Sequence, residues 1–308
     1  MNYDLIIIGG GPAGAAAGVY AARKYLKSVL IAKNFGGQSA VSDDIQNWIG
    51  TPHIAGTELA ENLEKHVREY AGNNLEIVTD DEVITVQKKD TGIIVTTAKG
   101  KTFESKALLI TTGSKRRKLT VPGADKFEHK GLTYCASCDG PMFSGKDVIV
   151  VGGGNAGFET AAQLLSYVKS VTLFEYGEKF RAEAITVEKV TADPKMSAFN
   201  NVNIIELKGE KMLESVVYKD NKTGEVTEKK AQGIFVEIGQ MPATELIEGV
   251  VELNNYKQVV VDPKTQRTST EGIWAAGDCT DVIYHQNNIA VGDAVRAMED
   301  IYVCLKTK

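Results

Sequence analysis

Proline is scarce in this chain, with 7 residues in 308, and cysteine scarcer still, with 4. The lack of proline and of any biased tract excludes collagen-like and low-complexity disordered chains. Two of the cysteines, Cys135 and Cys138, form a Cys-x-x-Cys pair, while Cys279 and Cys304 stand alone. Such a set excludes a secreted disulfide framework and suits a reducing cytoplasm with one specialised pair. Positive charge is not in excess either: the formal net charge is -5, which argues against a nucleic-acid partner. Long hydrophobic runs are missing. Leu5–Ala22 is uncharged and approaches the length of a membrane span, but Gly9, Gly10, Gly11, Pro12 and Gly14 interrupt it. The opening Met-Asn-Tyr-Asp lacks the positive charge of a signal peptide. We expect no membrane partner and a cytoplasmic protein.

Glycine is what the chain has in surplus: 30 residues, roughly eight above average usage. The surplus falls in two places. Gly9-Gly10-Gly11-Pro12-Ala13-Gly14 follows the apolar run Tyr3–Ile8, then comes an Ala-rich helical pattern through Arg23 and a second strand at Ser28–Ala32. Gly152-Gly153-Gly154-Asn155-Ala156-Gly157 follows Asp147–Val151, with a helix through about Leu165 and a strand at Ser170–Phe174. The two copies lie roughly 140 residues apart, too far for a solenoid repeat. Strand, Gly-x-Gly-x-x-Gly and helix form the context of a dinucleotide cradle. The first Gly makes the turn, the second admits a pyrophosphate, and the third lets helix and strand pack closely. The helix N-terminus then supports the negative charge.

The copies differ in one charge. A dinucleotide fold places an acid after its second strand, to hold the ribose hydroxyls. The first copy has Ala32-Lys33 there, and so names no ribose partner. The second has Glu175, roughly twenty residues after Gly152. A carboxylate at that place accepts from both adenosine ribose hydroxyls and repels a 2′-phosphate, which favours NADH over NADPH. The plain alternative is an ordinary exposed glutamate at a strand end.

Between the copies, Glu82–Thr97 reads as an antiparallel meander and Ala107–Ile110 as a buried strand. Later come a hairpin over Val216–Val226, strands at Gly233–Gly239 and Gly272–Ala276, and a helix over Asn288–Leu305. The stretches 114–121 and 241–245 read as domain crossings. The expected fold class is therefore α/β, with two Rossmann-like, three-layer dinucleotide-binding domains, the second inserted into the first. Residues 1–115 with 245–308 would form one, and residues 116–244 the other.

Cys135-Ala136-Ser137-Cys138 means a redox dithiol or a metal site. Structural zinc needs two further ligands at similar spacing. Cys279 and Cys304 are remote, and His53, His66, His129 and His285 build no partner motif, so we expect no metal. Asp139 follows directly; it could move protons for the dithiol or serve as a turn residue before Gly140-Pro141. A nicotinamide delivers hydride, which a disulfide does not take directly, whereas a flavin accepts hydride and passes electrons on. Two cradles and one dithiol thus suggest one FAD site and one nicotinamide site. Lys115-Arg116-Arg117-Lys118 reads as a solvated charge run, and Cys279, Trp48 and Trp274 as packing residues.

These motifs resemble a known family over nearly the whole chain. Gly9–Gly14, Gly36-Gly37-Gln38, Gln46-Asn47-Trp48-Ile49-Gly50, Thr111-Thr112-Gly113 and Tyr134-Cys135-Ala136-Ser137-Cys138-Asp139-Gly140 are similar to those of the low-molecular-weight thioredoxin reductases, flavoproteins of the pyridine nucleotide-disulfide reductase superfamily. So are Gly152–Gly157, Ile238-Gly239-Gln240-Met241-Pro242, Ala275-Ala276-Gly277-Asp278 and Tyr284-His285-Gln286. The resemblance implies a thioredoxin-disulfide reductase. It places FAD against Gly9, Gly11, Pro12, Ala13, Gly14, Gly37, Gln38, Asn47, Val83, Thr112, Gly113, Gly277, Asp278, His285 and Gln286. It places the nicotinamide dinucleotide against Gly152, Gly154, Asn155, Ala156, Gly157, Glu175, Tyr176, Arg181, Ile238 and Gly239. It implies that Cys138 faces the flavin, that Cys135 attacks the disulfide of thioredoxin or a thioredoxin-like dithiol protein, and that Asp139 is the acid/base. A homodimer and a rotating inserted domain are implied as well.

The departures concern the electron donor. Members that bind NADPH carry His-Arg-Arg and a further Arg; here Glu175-Tyr176-Gly177 stands there and only Arg181 remains. Gly157 replaces a common Ala, and His285 replaces an Arg near the flavin. NADH is the favoured donor. NADPH, reduced ferredoxin or a deazaflavin feeding the same dithiol, and a flavin-dependent thiol oxidase, are the alternatives. The chain also resembles the reductase half of a peroxiredoxin-recycling flavoprotein, and the first strand at Tyr3 is read as lacking that protein's N-terminal extension.

Overall fold

Apolar runs ending in glycine turns become parallel strands in this protein. Its computed structural model describes residues 2–41, 45, 47–134 and 136–306, and for Asn2, Val41, Ser137 and Cys138 the backbone alone. The chain divides into two units, Met1–Lys115 with Met241–Lys308, and Arg116–Gln240. The second junction falls a few residues before the 244/245 boundary expected from the sequence. The chain crosses between units through Ser114–Arg116 and Gln240–Pro242, and these two short strands pair with each other.

In the first unit, strands Leu75–Val78, Ser28–Ile31, Asn2–Ile8 and Thr102–Ile110 lie side by side in that order, all parallel. Leu5 sits opposite Ser28 on one side and Ala107 on the other. Thr102–Ile110 is long because its outer edge serves two partners. Its first half pairs antiparallel with Gly92–Thr97, and its second half runs parallel to Ile273–Ala275. Val83–Lys89 completes the expected meander. Helix Pro12–Arg23 presents Ala13, Ala17 and Ala21 to one core, and the C-terminal helix Asn287–Lys306 adds Ala290, Ala294 and Ala297. Alanine on both sides lets the backbones approach closely. Helix Gly56–Ala71 is an addition to the elements expected from the sequence; its Leu59, Leu63, Val67 and Ala71 recur at every fourth position and face inward. The other face of the sheet packs on Val86, Val95, Phe103 and Val259.

In the second unit the order is Met196–Phe199, Ser170–Phe174, Asp147–Val151, Gly233–Val236 and Leu132–Thr133, again all parallel. Helix Asn155–Leu164 covers one face through Phe158, Ala161 and Leu164. A three-stranded antiparallel sheet, Val202–Lys208, Ser215–Asp220 and Val226–Lys230, covers the other through Ile204, Leu207 and Val216. Each unit is therefore a three-layer Rossmann-like sheet. Each reverses its strand order beside its first parallel strand, and that reversal opens a crevice at the carboxyl ends of the strands. Among the described residues no helix is long and apolar enough to cross a membrane.

Trp274 closes the first core. It is 2% exposed, and its indole N–H donates to Asp300 Oδ2 at 2.8 Å, a carboxylate that also holds Arg267. Replacing Trp274 by Ala should lower unfolding free energy by about 3–5 kcal/mol. Replacing the exposed Tyr256 by Ala should change it by less than about 0.5 kcal/mol. Denaturant melts of the two variants check this, and equal midpoints would contradict it.

Candidate functional site

The first crevice is shaped by two close contacts. Gly9 has φ +113°, and a Cβ there would stand 2.3 Å from the Thr111 carbonyl oxygen. A Cβ on Gly14 would stand 1.8 Å from the Gly9 carbonyl oxygen, so the helix seats directly on the strand turn. No side chain caps that helix at Gly11. Its first N–H groups are left for an anion.

A cavity of about 420 Å³ opens at this point. Its wall contains Gly9, Gly11, Pro12, Ala13, Gly37, Gln38, Val83, Thr112, Gly113, Gly277 and Asp278, bringing together most residues assigned to FAD by resemblance. Gly14 lies behind the wall. Gln38 Nε2 donates to Ser114 O at 2.7 Å, tying the Gly37 turn to the strand beyond Gly113. Asn47, His285 and Gln286 are not in the wall; Asn47 Nδ2 donates to Gln286 Oε1 at 2.8 Å, and His285 Nε2 lies 3.0 Å from Val282 O.

The wall also holds Lys33, Asn34, Glu82, Lys115 and Asn287, which come from separate loops and carry no local motif. The residues fit a phosphate-bearing cofactor. Two lysines and an uncapped helix start face the cavity, and buried Thr112 Oγ1 has no hydrogen-bond partner. Burial pushes the Asp278 carboxyl above the usual range, against the pull of His285 and Ser114. Cys279 is fully buried, its Sγ 3.5 Å from Ala276 O, and burial pushes its thiol up to about 11. It packs and has no redox part here.

The second crevice repeats the geometry. Gly152 has φ +120°, and a Cβ on Gly157 would stand 1.8 Å from the Gly152 carbonyl oxygen. An alanine at 157 would force the turn to move. A Cβ on Gly154 would meet nothing within 4 Å, so the approach to the cradle is open there. Asn155 Oδ1 accepts from the Glu183 amide at 2.9 Å, and the amides of Arg181 and Ala182 donate to Gly153 O. The 181–183 segment is thereby pinned to the cradle. Ala156 and Gly239 are exposed and Ile238 is half-buried.

Glu175 is no ordinary strand-end glutamate: it is 4% exposed. Its Oε2 accepts from the Gly153 amide at 2.6 Å and its Oε1 from the Gly177 amide at 2.7 Å. The carboxylate thus fixes the glycine turn on one side and the next loop on the other. Each oxygen keeps acceptor capacity for a further donor. Arg181 approaches Oε2 only to 3.9 Å and is 75% exposed, and Tyr176 is exposed beside it.

The Cys-x-x-Cys segment enters helix Ala136–Asp139. Cys135 lies outside the described residues, as does the side chain of Cys138, and so does Gln46 of the Asn47 motif. Asp139 is half-buried, and its Oδ2 accepts from Thr133 Oγ1 at the end of the Leu132–Thr133 strand. Phe143, just beyond, packs edge-on against Phe235 with centroids 5.2 Å apart. Among the described residues no group of three His, Cys, Asp or Glu could hold a metal.

Known proteins share this arrangement. The family model described as pyridine nucleotide-disulphide oxidoreductase matches residues 3–296. The chain is 38% identical to a Bacillus subtilis NADH dehydrogenase over 295 residues, covering 96% of this chain and 57% of that protein. It is 38% identical to the F subunit of Escherichia coli alkyl hydroperoxide reductase over 296 residues, again 96% of this chain and 57% of that protein. The chain thus spans little more than half the length of these curated relatives. Among solved structures, thioredoxin reductase of Lactococcus lactis superimposes with a TM-score of 0.85 at 32% identity, covering 99% of this chain and 100% of that one. Thioredoxin reductase of T. acidophilum gives 0.83 at 34% identity, with 98% of each chain covered.

Glu175→Ala would strip two backbone amides of their acceptor. We expect it to lower the unfolding free energy by about 1–3 kcal/mol, where an exposed strand-end glutamate would cost less than about 0.5 kcal/mol. A denaturant melt decides, and a neutral substitution would contradict the buried, bidentate geometry.

Proposed function

This chain belongs to the pyridine nucleotide-disulphide oxidoreductase family, and from that premise we propose that it is a thioredoxin-disulfide reductase driven by NADH. It is an FAD-dependent oxidoreductase with two dinucleotide-binding domains. The observation that carries the finer reading is the buried Glu175 carboxylate at the second cradle, in the unit that also contains the Cys-x-x-Cys segment.

In this reading the turn Gly9–Ala13 and the start of helix Pro12–Arg23 bind the FAD diphosphate, with Lys33 and Lys115 adding positive charge. FAD, when bound, supplies the capacity to accept a hydride and release its electron pair to a disulfide. Glu175 accepts from the adenosine ribose hydroxyls and rejects a 2′-phosphate. A unit charge about 4 Å away costs about 4 kcal/mol at an effective dielectric constant of 20. The exposed Arg181 offsets little of that.

The dithiol then acts on its partner. Cys135 as thiolate attacks one sulfur of the partner's disulfide, forming a mixed disulfide and releasing the partner's other sulfur as thiolate. Cys138 as thiolate attacks Cys135 Sγ, which restores the Cys135–Cys138 disulfide and frees the partner as a dithiol. Asp139, anchored by Thr133, donates the proton that the leaving thiolate takes.

We take the protein as a cytoplasmic homodimer whose inserted unit turns to present first the dinucleotide and then the dithiol. Similarity to the F subunit of alkyl hydroperoxide reductase favours a second reading of the partner: a thioredoxin-like dithiol domain that serves hydroperoxide reduction.

Cys135→Ser and Cys138→Ser should each lower NADH-dependent thioredoxin reduction by roughly a thousandfold or more while the purified protein stays yellow. A coupled assay with insulin or a chromogenic disulfide reads it. Full turnover in either variant would overturn the dithiol route.

A further inference from the structure

One carboxyl at the edge of the second sheet takes no part in the chemistry above. Glu237 follows strand Gly233–Val236, across the switch point from Glu175. Its amide donates to Val151 O at 2.7 Å, and a Cβ on Gly152 would stand 2.2 Å from its carbonyl oxygen. Glu237 is therefore level with the first glycine of the cradle. Its Oε1 accepts from Thr160 Oγ1 at 3.0 Å, on the helix that starts at that cradle. No hydrogen bond holds its second oxygen among the described residues. The charged groups that face it are Arg116, from the crossing strand, and Glu159, from the helix. Burial raises its pKa, Glu159 adds to the rise, and Thr160 and Arg116 oppose it.

A dinucleotide lies across a switch point with one nucleotide on each side. With the adenosine ribose on Glu175, the nicotinamide half falls on the side of Gly233–Val236, where Glu237 stands. The two redox forms of that half differ in charge: the oxidised ring carries one positive charge and the reduced ring none. A carboxyl that can hold or lose a proton responds to this difference, whereas an amide or an alkyl group does not.

We propose that Glu237 is a specificity-determining residue that discriminates the oxidised from the reduced nicotinamide ring, ionised against the cationic ring and protonated against the neutral one. This rests on the nicotinamide reading of Gly152–Gly157. The sign follows from linkage. The oxidised dinucleotide binds better when Glu237 has lost its proton, so its affinity rises with pH through the titration of that group. The reduced form gains nothing from the ionised carboxylate, which loses hydration beside an uncharged ring, so its affinity stays level or falls. At low pH the enzyme then prefers its substrate to its product.

The test uses the FAD-loaded, oxidised protein, which reacts with neither ligand chosen. Dissociation constants are measured by calorimetry for NAD+ and for the redox-inert tetrahydro analogue of NADH, from about pH 5 to about pH 8. In the wild type the affinity of NAD+ relative to the analogue should rise about tenfold over that range, the change expected if the ring shifts Glu237 by about one pKa unit. In Glu237→Gln, which keeps an acceptor for Thr160, the ratio should stay flat within about twofold. A flat ratio in the wild type, or the same rise in both proteins, overturns the assignment to Glu237 while leaving the second cradle a nicotinamide site. Failure of the wild type to bind either ligand overturns that reading of the cradle, and the proposal with it.

Discussion

A helix can sit directly on the turn that leads into it only where a carbonyl oxygen meets no side chain. A Cβ on Gly14 would lie 1.8 Å from the Gly9 oxygen, and one on Gly157 the same distance from the Gly152 oxygen. Neither position admits a larger residue without moving the backbone. Because the helix seats there, its first N–H groups point across the ends of the parallel strands. Because the strand order reverses at the same place, those groups look into a crevice. The cavity wall, the placing of Lys33 and Lys115, and the lie of Glu175 all depend on this one contact, made twice.

Much of this is legible in the chain. The runs Tyr3–Ile8, Ser28–Ala32, Asp147–Val151 and Ser170–Phe174 form strands within a residue or two of the expected bounds, since an apolar run followed by glycine has few other uses. The meander and the hairpin are visible through alternation and an Asn-Lys-Thr-Gly turn. Helix Gly56–Ala71 escapes a reading by composition although its apolar residues keep a four-residue spacing, because its charged outer face dominates. The double pairing of Thr102–Ile110 is hidden for a different reason: partners on one strand edge are set by distant segments. The same holds for Asn34, Glu82 and Asn287, which reach the cavity only through tertiary folding. Likewise, no local pattern tells a buried Glu175 held by two amides from an exposed one.

At the second crevice, charge decides what the cradle can hold. Glu175 is committed to the backbone on both oxygens, so its negative charge is fixed at the ribose end. The nearby cation Arg181 is exposed and 3.9 Å away. Similarity to proteins named NADH dehydrogenase and alkyl hydroperoxide reductase agrees with a site built against an extra phosphate. The chain spans little more than half the length of those relatives, whereas it matches the solved thioredoxin reductases end to end. That contrast supports a reading in which the dithiol serves a separate partner protein.

The most direct measurement is anaerobic reduction of the bound flavin, followed by the loss of its yellow absorbance in a stopped-flow instrument. NADH should bleach the flavin rapidly, and NADPH should do so about a hundredfold more slowly at equal concentration, the effect of one unfavourable charge contact of about 3 kcal/mol. Bleaching by NADPH as fast as by NADH would contradict the role given to Glu175, and bleaching by neither would contradict a nicotinamide donor altogether.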